Sequence, residues 1–297
     1  MYFVSGIQKV LMNYVLRYFV LVVLLAMGVS AWGAEATNGP PALPKWEVGL
    51  FGLGARMPCY RGSDDYQWYA FPVPYFIYRG DYIQADREGV RGLFYKGTWV
   101  ETELSISGSP PVREGTSARE GMPELDPLME LGPAVRLFLY RGKKVSALYF
   151  EAAVRAVGSI DMDNFSPGYE GERAALSLVL ARFTPRAGSP WNVGLKGGVD
   201  FADNQYHGYF YDVDERSVTS ARSAYQSGGG YGGASLSGWV SRKLFDGVSL
   251  SAYARLENCE GAVYEDSPLV RSRNNVTVGA ALSWKIAESS TKVQTRR

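Results

Sequence analysis

Several residue types and patterns are scarce in this chain of 297 residues, and each scarcity excludes a class of function. There is one histidine, His207, and there are two cysteines, which leaves few ligands for a zinc site. Lysine and arginine number 31 against 30 acidic residues, so the chain lacks the basic excess that captures nucleic acid. After residue 36 no apolar run approaches the roughly 20 residues that a spanning helix needs. We therefore expect no nucleic acid partner, no cofactor and no membrane helix in the mature chain.

The first 36 residues have the pattern of an export signal. Lys9 and Arg17 precede an apolar run from Tyr18 to Val29, and small residues follow it. A basic start, a short apolar core and a small-residue exit are typical of a secretory signal peptide. Cleavage would follow Gly33 or Ala36. We predict a signal peptide over residues 1–36.

The rest of the chain alternates apolar and polar residues with a period of two. In residues 275–286, one face collects Val276, Val278, Ala280, Leu282, Trp284 and Ile286. Such alternation predicts β-strands, and helical periodicity never persists for three turns after the signal peptide. We predict twelve strands, near 46–56, 67–79, 80–87, 89–95, 97–107, 130–140, 143–157, 171–184, 190–200, 229–241, 246–257 and 274–286. The third and fourth are the weakest, because 80–95 could form one bent strand.

Alternation fits both a water-soluble sandwich and a membrane barrel, and other features favour the barrel. Most predicted strands are long enough for a tilted bilayer crossing, and their polar faces carry charges such as Glu101, Glu151 and Arg255. Short turns alternate with long polar loops, as in single-chain outer-membrane barrels. Aromatic residues cluster near strand ends, as in interfacial girdles: Trp46, Trp68, Tyr69, Tyr75, Tyr78, Tyr140, Tyr149, Trp191 and Trp284. We predict an all-β fold, a closed antiparallel transmembrane β-barrel over 37–286, followed by a polar tail over 287–297.

Two segments carry a resemblance to a known family. The stretch "GLFGLGARMPCYRGSDDYQWYAFPVPYFIYRGDYIQAD" and the segment "DSPLVRSRNNVTVGAALSWKI" resemble the MipA/OmpV family of Gram-negative outer-membrane proteins. Its most specific parts here are Tyr60, Gly62, Ser63, Asp64 and Asp65 in the first loop, and Asp266, Ser267 and Pro268 in the last. The resemblance implies a barrel in the cell outer membrane, in contact with its lipid. It also implies a scaffold role toward a lytic transglycosylase and a bifunctional peptidoglycan synthase.

The two cysteines depart from the residues that the family usually has at these positions. Cys59 falls in the first long loop and Cys259 in the last. In a closed barrel the first and last strands pair, so these loops should lie on one edge and near each other. An exported chain meets an oxidising compartment. Our hypothesis is a Cys59–Cys259 disulfide, with two unrelated thiols as the alternative.

Enzymatic interpretations have little support in the residues. A serine hydrolase needs a base, and the sole histidine candidate is His207, in an aromatic loop where histidine more often packs. The carboxylate pairs Asp64/Asp65, Asp161/Asp163 and Asp212/Asp214 could hold calcium or act as a glycosidase pair. Their more ordinary role is solvated loop charge. We predict no enzymatic activity and no catalytic residues.

Four functions remain open from the sequence. The leading prediction is a non-enzymatic scaffold for peptidoglycan-remodelling enzymes. The alternatives are a narrow outer-membrane channel, or a surface adhesion or antigen protein, with a barrel hydrolase last. Lumen-facing Glu101, Glu103, Tyr253 and Arg255 would narrow or plug a channel.

Overall fold

The structure is a computed structural model that describes residues 42–79, 83–86, 89–112, 116–142, 145–161, 164, 166–183 and 191–294. The predicted signal peptide lies outside these residues and stays a prediction. Within the described part, no helix is long and apolar enough to cross a membrane.

Fourteen strands and one short α-helix make up the described secondary structure, with two 3-10 turns at Ser117–Arg119 and Glu215–Ser217. The elements are β1 (Ala42–Pro44), β2 (Trp46–Pro58), β3 (Tyr66–Arg79), β4 (Ile83–Asp86), β5 (Gly89–Lys96), β6 (Val100–Ser109), β7 (Leu128–Arg141), β8 (Val145–Ile160), β9 (Pro167–Phe183), β10 (Trp191–Ala202), α1 (Asn204–Tyr211), β11 (Gly230–Phe245), β12 (Val248–Asn258), β13 (Asn274–Glu288) and β14 (Lys292–Gln294).

Strands β2 to β13 form one antiparallel sheet in which each strand pairs with its neighbours in sequence, and β13 returns to pair with β2. This closure makes a twelve-stranded barrel. Each of the twelve predicted strands corresponds to one of these, with ends within four residues. The antiparallel all-β prediction is confirmed. Helix α1 was not predicted.

Strand β7 shows how the sequence builds the wall. Buried residues at Leu128, Glu130, Gly132, Ala134, Arg136 and Phe138 alternate with exposed neighbours such as Met129, Leu131 and Val135. Since successive side chains of a strand point to opposite faces, the interior face of β7 is mostly polar or small, with Leu128 and Phe138 as exceptions, and the outer face is apolar. An apolar outside around a polar inside is the arrangement of a barrel in lipid.

The predicted aromatic girdle is correct for several residues and wrong for at least two, Tyr149 and Tyr69, the second of which lies at the barrel mouth and donates to the Pro111 carbonyl at 2.9 Å. Trp46, Trp68, Tyr140 and Trp284 are exposed on the outer face, with Trp68 75% exposed. Tyr149 is instead buried inside the barrel. It lies on the same inward face of β8 as Glu151, opposite Phe138 of β7, and the two rings stand 5.1 Å apart. The alternation along β8 therefore determines which face of the wall Tyr149 is on, whereas its position near a strand end does not.

The two prolines of β3 lie along an irregular edge. Residues 66–78 of β3 pair continuously with β2, whereas in the described residues β3 pairs with β4 at Tyr78 and Arg79 alone. Pro72 and Pro74 are two residues apart, so their missing N–H groups share one side. We infer that this side faces β4. In the described residues β4 does not pair with β3 at Pro72 or Pro74, so the prolines interrupt no hydrogen bonds there.

The connections alternate as predicted. Long loops 59–65, 110–127, 161–166, 203–229 and 259–273 share one end of the barrel with the short connection between β4 and β5, the one predicted exception, and the other short turns occupy the opposite end. In outer-membrane barrels the short turns are periplasmic and the long loops extracellular. At the short-turn end, β1 pairs with β14 in a separate two-stranded ladder.

This ladder corrects the predicted tail. Ala287 and Glu288 still pair with β2, at Val48 and Glu47, so the barrel ends at residue 288 rather than 286. Residues 292–294 then form β14. The pairing satisfies backbone groups that a solvated tail would leave to water.

Candidate functional site

The lumen carries ionic side chains that are paired with one another. Arg136 on β7 lies 3.0 Å from Glu103 on β6 and 2.8 Å from Glu151 on β8, while Lys196 on β10 reaches Glu151 at 2.9 Å. Glu103 is 1% exposed. Burying such charges costs free energy that close partners must offset. The pairs therefore fill the middle of the barrel, in agreement with the expectation that Glu101 and Glu103 face the lumen.

A second chain of ion pairs crosses the outer mouth of the barrel. Arg61 follows β2, yet its Nη2 contacts Asp200 on β10 at 2.8 Å and Glu257 on β12 at 2.8 Å. Arg173 then links Asp200, at 2.6 Å, to Glu130 on β7, at 2.8 Å. The Arg173–Asp200 pair joins the neighbouring strands β9 and β10, whereas the other contacts join parts of the barrel that are not paired in the sheet. Arg61 of the first loop thus links β10 and β12 beneath the long loops.

The ionic partners also set the charge of Arg61. Burial disfavours a charged guanidinium, but the carboxylates of Glu257 and Asp200 outweigh that penalty and hold the pKa of Arg61 well above its ordinary value. Its Nη1 donates to the Gly232 carbonyl at 2.6 Å. Arg61 therefore stays a cation at any pH at which the barrel is folded.

The first-loop motif forms a tight turn held by a buried asparagine. Asn275 accepts a hydrogen bond from the Gly62 N–H at 2.6 Å and donates one to the Ser63 carbonyl at 2.7 Å. Gly62 has φ of +95°, a conformation that side chains rarely adopt. The Cys59 N–H donates to the Asp65 carbonyl. The motif's glycine thus permits the turn that aims Arg61 into the mouth.

The remaining motif residues mostly connect one long loop to another. Asp65 accepts hydrogen bonds from Ser117, and the Tyr60 hydroxyl donates to the Leu269 carbonyl at 2.8 Å. Ser267 donates to the Tyr211 carbonyl at 2.7 Å. Asp64 and Asp266 are exposed and Pro268 is half-buried. The two motifs are therefore chiefly structural, and they fasten the loops together.

The loops share an apolar core of their own, which we call the outer cap. Its buried members are Cys59, Tyr60, Val112, Ala118, Leu125, Tyr211, Val213, Cys259, Ala262, Tyr264 and Leu269. Tyr211 and Tyr264 stack with ring centroids 3.7 Å apart. Burial raises the pKa of both phenols, so both keep their protons and donate hydrogen bonds. A core of this kind makes the cap a folded layer over the barrel mouth.

Helix α1 contributes several of the cap's aromatic side chains, Tyr209, Phe210 and Tyr211. Asp203 begins it, since its carboxylate accepts from the Tyr206 N–H at 2.8 Å, as an N-cap residue does. The helix has eight residues, too few to show a helical period in the sequence. The available sign was Asp203 itself, a capping residue directly after a predicted strand.

His207 packs within this cap. It is 2% exposed, and its Nδ1 lies 3.0 Å from the Gly228 carbonyl. A carbonyl accepts only, so we assign the proton to Nδ1. Burial lowers the pKa of His207, which keeps the ring neutral. The ring centroids of His207 and Tyr264 lie 5.0 Å apart. This contact is the packing role expected of the histidine.

The carboxylate pairs considered as metal or glycosidase sites accept hydrogen bonds within the loops where the structure describes them. Asp212 accepts from the Ser227 N–H, and Asp214 accepts from the Ser217 N–H at the start of a 3-10 turn. Asp163 lies outside the described residues. In the described part of the chain, no group of three His, Cys, Asp or Glu side chains is placed to hold a metal ion.

The Cys59–Cys259 disulfide hypothesis is wrong for this structure, in which both cysteines are buried free thiols. Cys59 follows β2 and Cys259 follows β12, and β13 lies between these two strands. Strands are about 4.8 Å apart, so the two positions are separated by roughly 10 Å, beyond the limit of about 7 Å between Cα atoms. The two loops touch, since the Tyr60 hydroxyl donates to the Leu269 carbonyl, but the cysteines follow β2 and β12, which are not adjacent strands.

We expect the folded protein to show no gel shift on reduction and to resist thiol labelling. Burial raises the pKa of Cys59, and it raises that of Cys259 to about 11, so neither forms the reactive thiolate near neutral pH. A maleimide carrying polyethylene glycol should add two labels after boiling in detergent and almost none before. Loss of both labels in a boiled, unreduced sample would contradict this result.

A cavity of about 270 Å³ lies at the mouth, between the outer cap and the ion pairs. Arg61, Arg173, Asp200 and Glu257 line it, with cap aromatics above. Tyr253 and Arg255, predicted to face the lumen, line it too. It is the place where the interior of the barrel could receive a small molecule.

Comparisons with known proteins agree with this architecture. The family model described as MltA-interacting protein MipA matches residues 50–286. Outer membrane protein Omp26La of Vibrio anguillarum is 24% identical over 219 residues, covering 70% of this chain and 76% of that protein. Outer membrane protein OmpV of Vibrio cholerae serotype O1 is 25% identical over 219 residues, with the same coverage of each chain.

Solved structures give weaker likenesses. The COG4313 outer membrane channel of Pseudomonas putida F1 has a TM-score of 0.36 and 10% identity, covering 86% of this chain and all of that one. The toluene transporter TodX of Pseudomonas putida has a TM-score of 0.32 and 10% identity, covering 86% of this chain and 94% of that one. At these TM-scores neither likeness bears on what this chain does. The family match and the two curated relatives are what place it: this chain is an outer-membrane β-barrel protein that belongs to the MltA-interacting protein MipA family.

Proposed function

We propose that this protein is a non-enzymatic scaffold whose periplasmic end docks peptidoglycan-remodelling enzymes, a lytic transglycosylase and a bifunctional peptidoglycan synthase. The observation that carries the proposal is the filled lumen under a folded cap. The description of its family, which names an interaction with MltA, supports the same role.

A filled lumen favours anchoring over transport for an energetic reason. Opening a water path would mean separating pairs such as Arg136–Glu151 and Arg173–Asp200. Breaking a buried pair by removing one partner typically costs about 3–5 kcal/mol. The ion pairs of Arg61 with Asp200 and Glu257 also cross the mouth. A barrel built in this way serves better as a rigid membrane anchor than as a conduit.

The ladder of β1 and β14 is the candidate docking element. It lies at the short-turn end. Two hydrogen bonds connect the residues between the ladder and the barrel: the Lys45 N–H donates to the Thr291 carbonyl, and the Ser289 N–H donates to the Trp46 carbonyl, each at 2.9 Å. These bonds hold both chain ends together at the periplasmic end. A partner enzyme would there meet a fixed backbone edge.

The test measures binding of a purified lytic transglycosylase of the MltA type to the full-length barrel in detergent. We expect saturable binding that weakens at least about tenfold, or about 1.4 kcal/mol, when residues 290–297 are deleted. The matched control is Arg216→Met, an exposed arginine in the outer cap at the opposite end. Absence of binding to the intact barrel would overturn the scaffold, and equal loss in the control would overturn docking at the ladder.

A further inference from the structure

Two residues that line the cavity at the barrel mouth each carry a buried polar atom that lacks a hydrogen-bond partner among the described residues. One is Oε2 of Glu130, and the other is Nε of Arg255. Both residues line the cavity. A buried acceptor or donor without a partner is destabilising, so a bound group that satisfied both would be stabilised there.

Each atom is left over after its side chain has formed its other contacts. Glu130 accepts from Arg173 through Oε1 at 2.8 Å, while its Oε2 has only Arg155 at 3.7 Å, too far for a hydrogen bond. Arg255 uses Nη2 on Glu257 at 3.0 Å, and its Nε remains. The leftover pair is thus one anionic acceptor and one cationic donor.

The two atoms belong to nearly opposite walls. Glu130 is on β7 and Arg255 on β12, which are five strand positions apart around a ring of twelve. A ligand that engages both must therefore span the cavity. The charges of a single amino acid are too close together, whereas a tripeptide reaches about 10 Å when extended.

The charges around the cavity are close to balance. Arg61, Arg173 and Arg255 face Glu130, Asp200 and Glu257, and Asp126 also lines the wall. A simple anion or cation would meet as much repulsion as attraction there. A molecule with one charge of each sign, held apart, meets both of its complements.

The remaining wall is aromatic and the volume is small. Phe210 of the cap and Tyr253 of β12 provide apolar faces beside the charged groups. At about 270 Å³ the cavity lies just under the usual range for small-ligand sites. An apolar middle between two charged ends, in a small volume, describes a short peptide with free termini.

We propose that the cavity binds short zwitterionic peptides, with the ammonium at Glu130 and the carboxylate at Arg255. The ammonium donates to Oε2 of Glu130, and the carboxylate accepts from Nε of Arg255. The aromatic residues pack against the peptide between them. This site is independent of the periplasmic docking proposed above, since it lies at the other end of the barrel.

The test is calorimetry of the full-length barrel in detergent with trialanine as the probe. We expect saturable binding that is lost when the same peptide is acetylated at its N-terminus and amidated at its C-terminus. That comparison needs no protein variant, so it does not depend on how a substitution folds. Failure of trialanine to bind, or equal binding of the capped peptide, would overturn the proposal.

Variants then locate the site. Glu130→Gln and Arg255→Gln should each weaken trialanine binding about tenfold or more, because each removes one hydrogen bond between charged groups. Glu151→Gln is the matched control, a lumen carboxylate paired with Arg136 and Lys196 that does not line the cavity. The same loss in Glu151→Gln as in Glu130→Gln would contradict the assignment.

Discussion

Replacing Arg61 by methionine is expected to loosen the outer cap by about 3–5 kcal/mol, the usual result of removing one partner from a buried ion pair. The substitution leaves Asp200 and Glu257 without the cation that bridges them, and removes the donor to Gly232. The cap core would remain apolar, but its tie to the barrel mouth would be lost. We expect the long loops to become accessible to protease at temperatures at which the native protein resists cleavage.

The control for this prediction is Arg216→Met. Arg216 belongs to the same cap but is exposed, so the two substitutions remove the same charge from the same layer. Limited proteolysis followed over a temperature series compares the two proteins directly. Equal protection of the loops in Arg61→Met and Arg216→Met would show that the Arg61 ion pairs do not hold the cap.

The second large effect is expected at Gly132 on β7. A Cβ built at this position would lie 2.0 Å from the backbone carbonyl oxygen of Val154 on β8. Neither strand can move far, because each is also paired to another neighbour. Overpacking in a tight interior typically costs about 1–3 kcal/mol and sometimes more. Gly132→Ala should therefore lower the ratio of folded to unfolded protein, measured at the midpoint of the native chain's urea transition, by about tenfold or more.

Gly54 on β2 offers the matched substitution. A Cβ there meets nothing within 4 Å, so Gly54→Ala should refold like the native chain. The folded fraction can be measured as the band that migrates differently before and after boiling. If Gly132→Ala and Gly54→Ala refolded to the same extent, the close approach of β7 and β8 at this point would be wrong.

The sequence predicted the strands well because a barrel wall repeats one simple rule. Each strand of the wall has one face toward the lumen and one toward lipid, so residues such as Glu130 and Met129 alternate along its length. Loop lengths then predicted which end is covered. Family resemblance added the motifs, although it gave no reason for Gly62 or Ser63 to be where they are.

The cap could not be predicted in the same way. Its core joins residues more than a hundred positions apart, such as Tyr60 with Leu269, and no local period records these contacts. Arg61 lies inside the motif, yet its carboxylate partners on β10 and β12 appear in the sequence as ordinary strand charges. The cysteine hypothesis was wrong for a related reason: it placed two loops on one edge without counting β13, which separates the strands that the two cysteines follow.

The most direct test of this account is conductance of the purified native barrel in a planar lipid bilayer, compared with Arg61→Met. A barrel whose lumen is filled by ion pairs and covered by the outer cap should give no stable unitary steps. Loosening the cap alone should not create them, because Arg136, Glu103 and Glu151 still fill the middle. Stable ohmic steps from the native protein would contradict the filled lumen, and the scaffold proposal would lose its structural basis in favour of a channel.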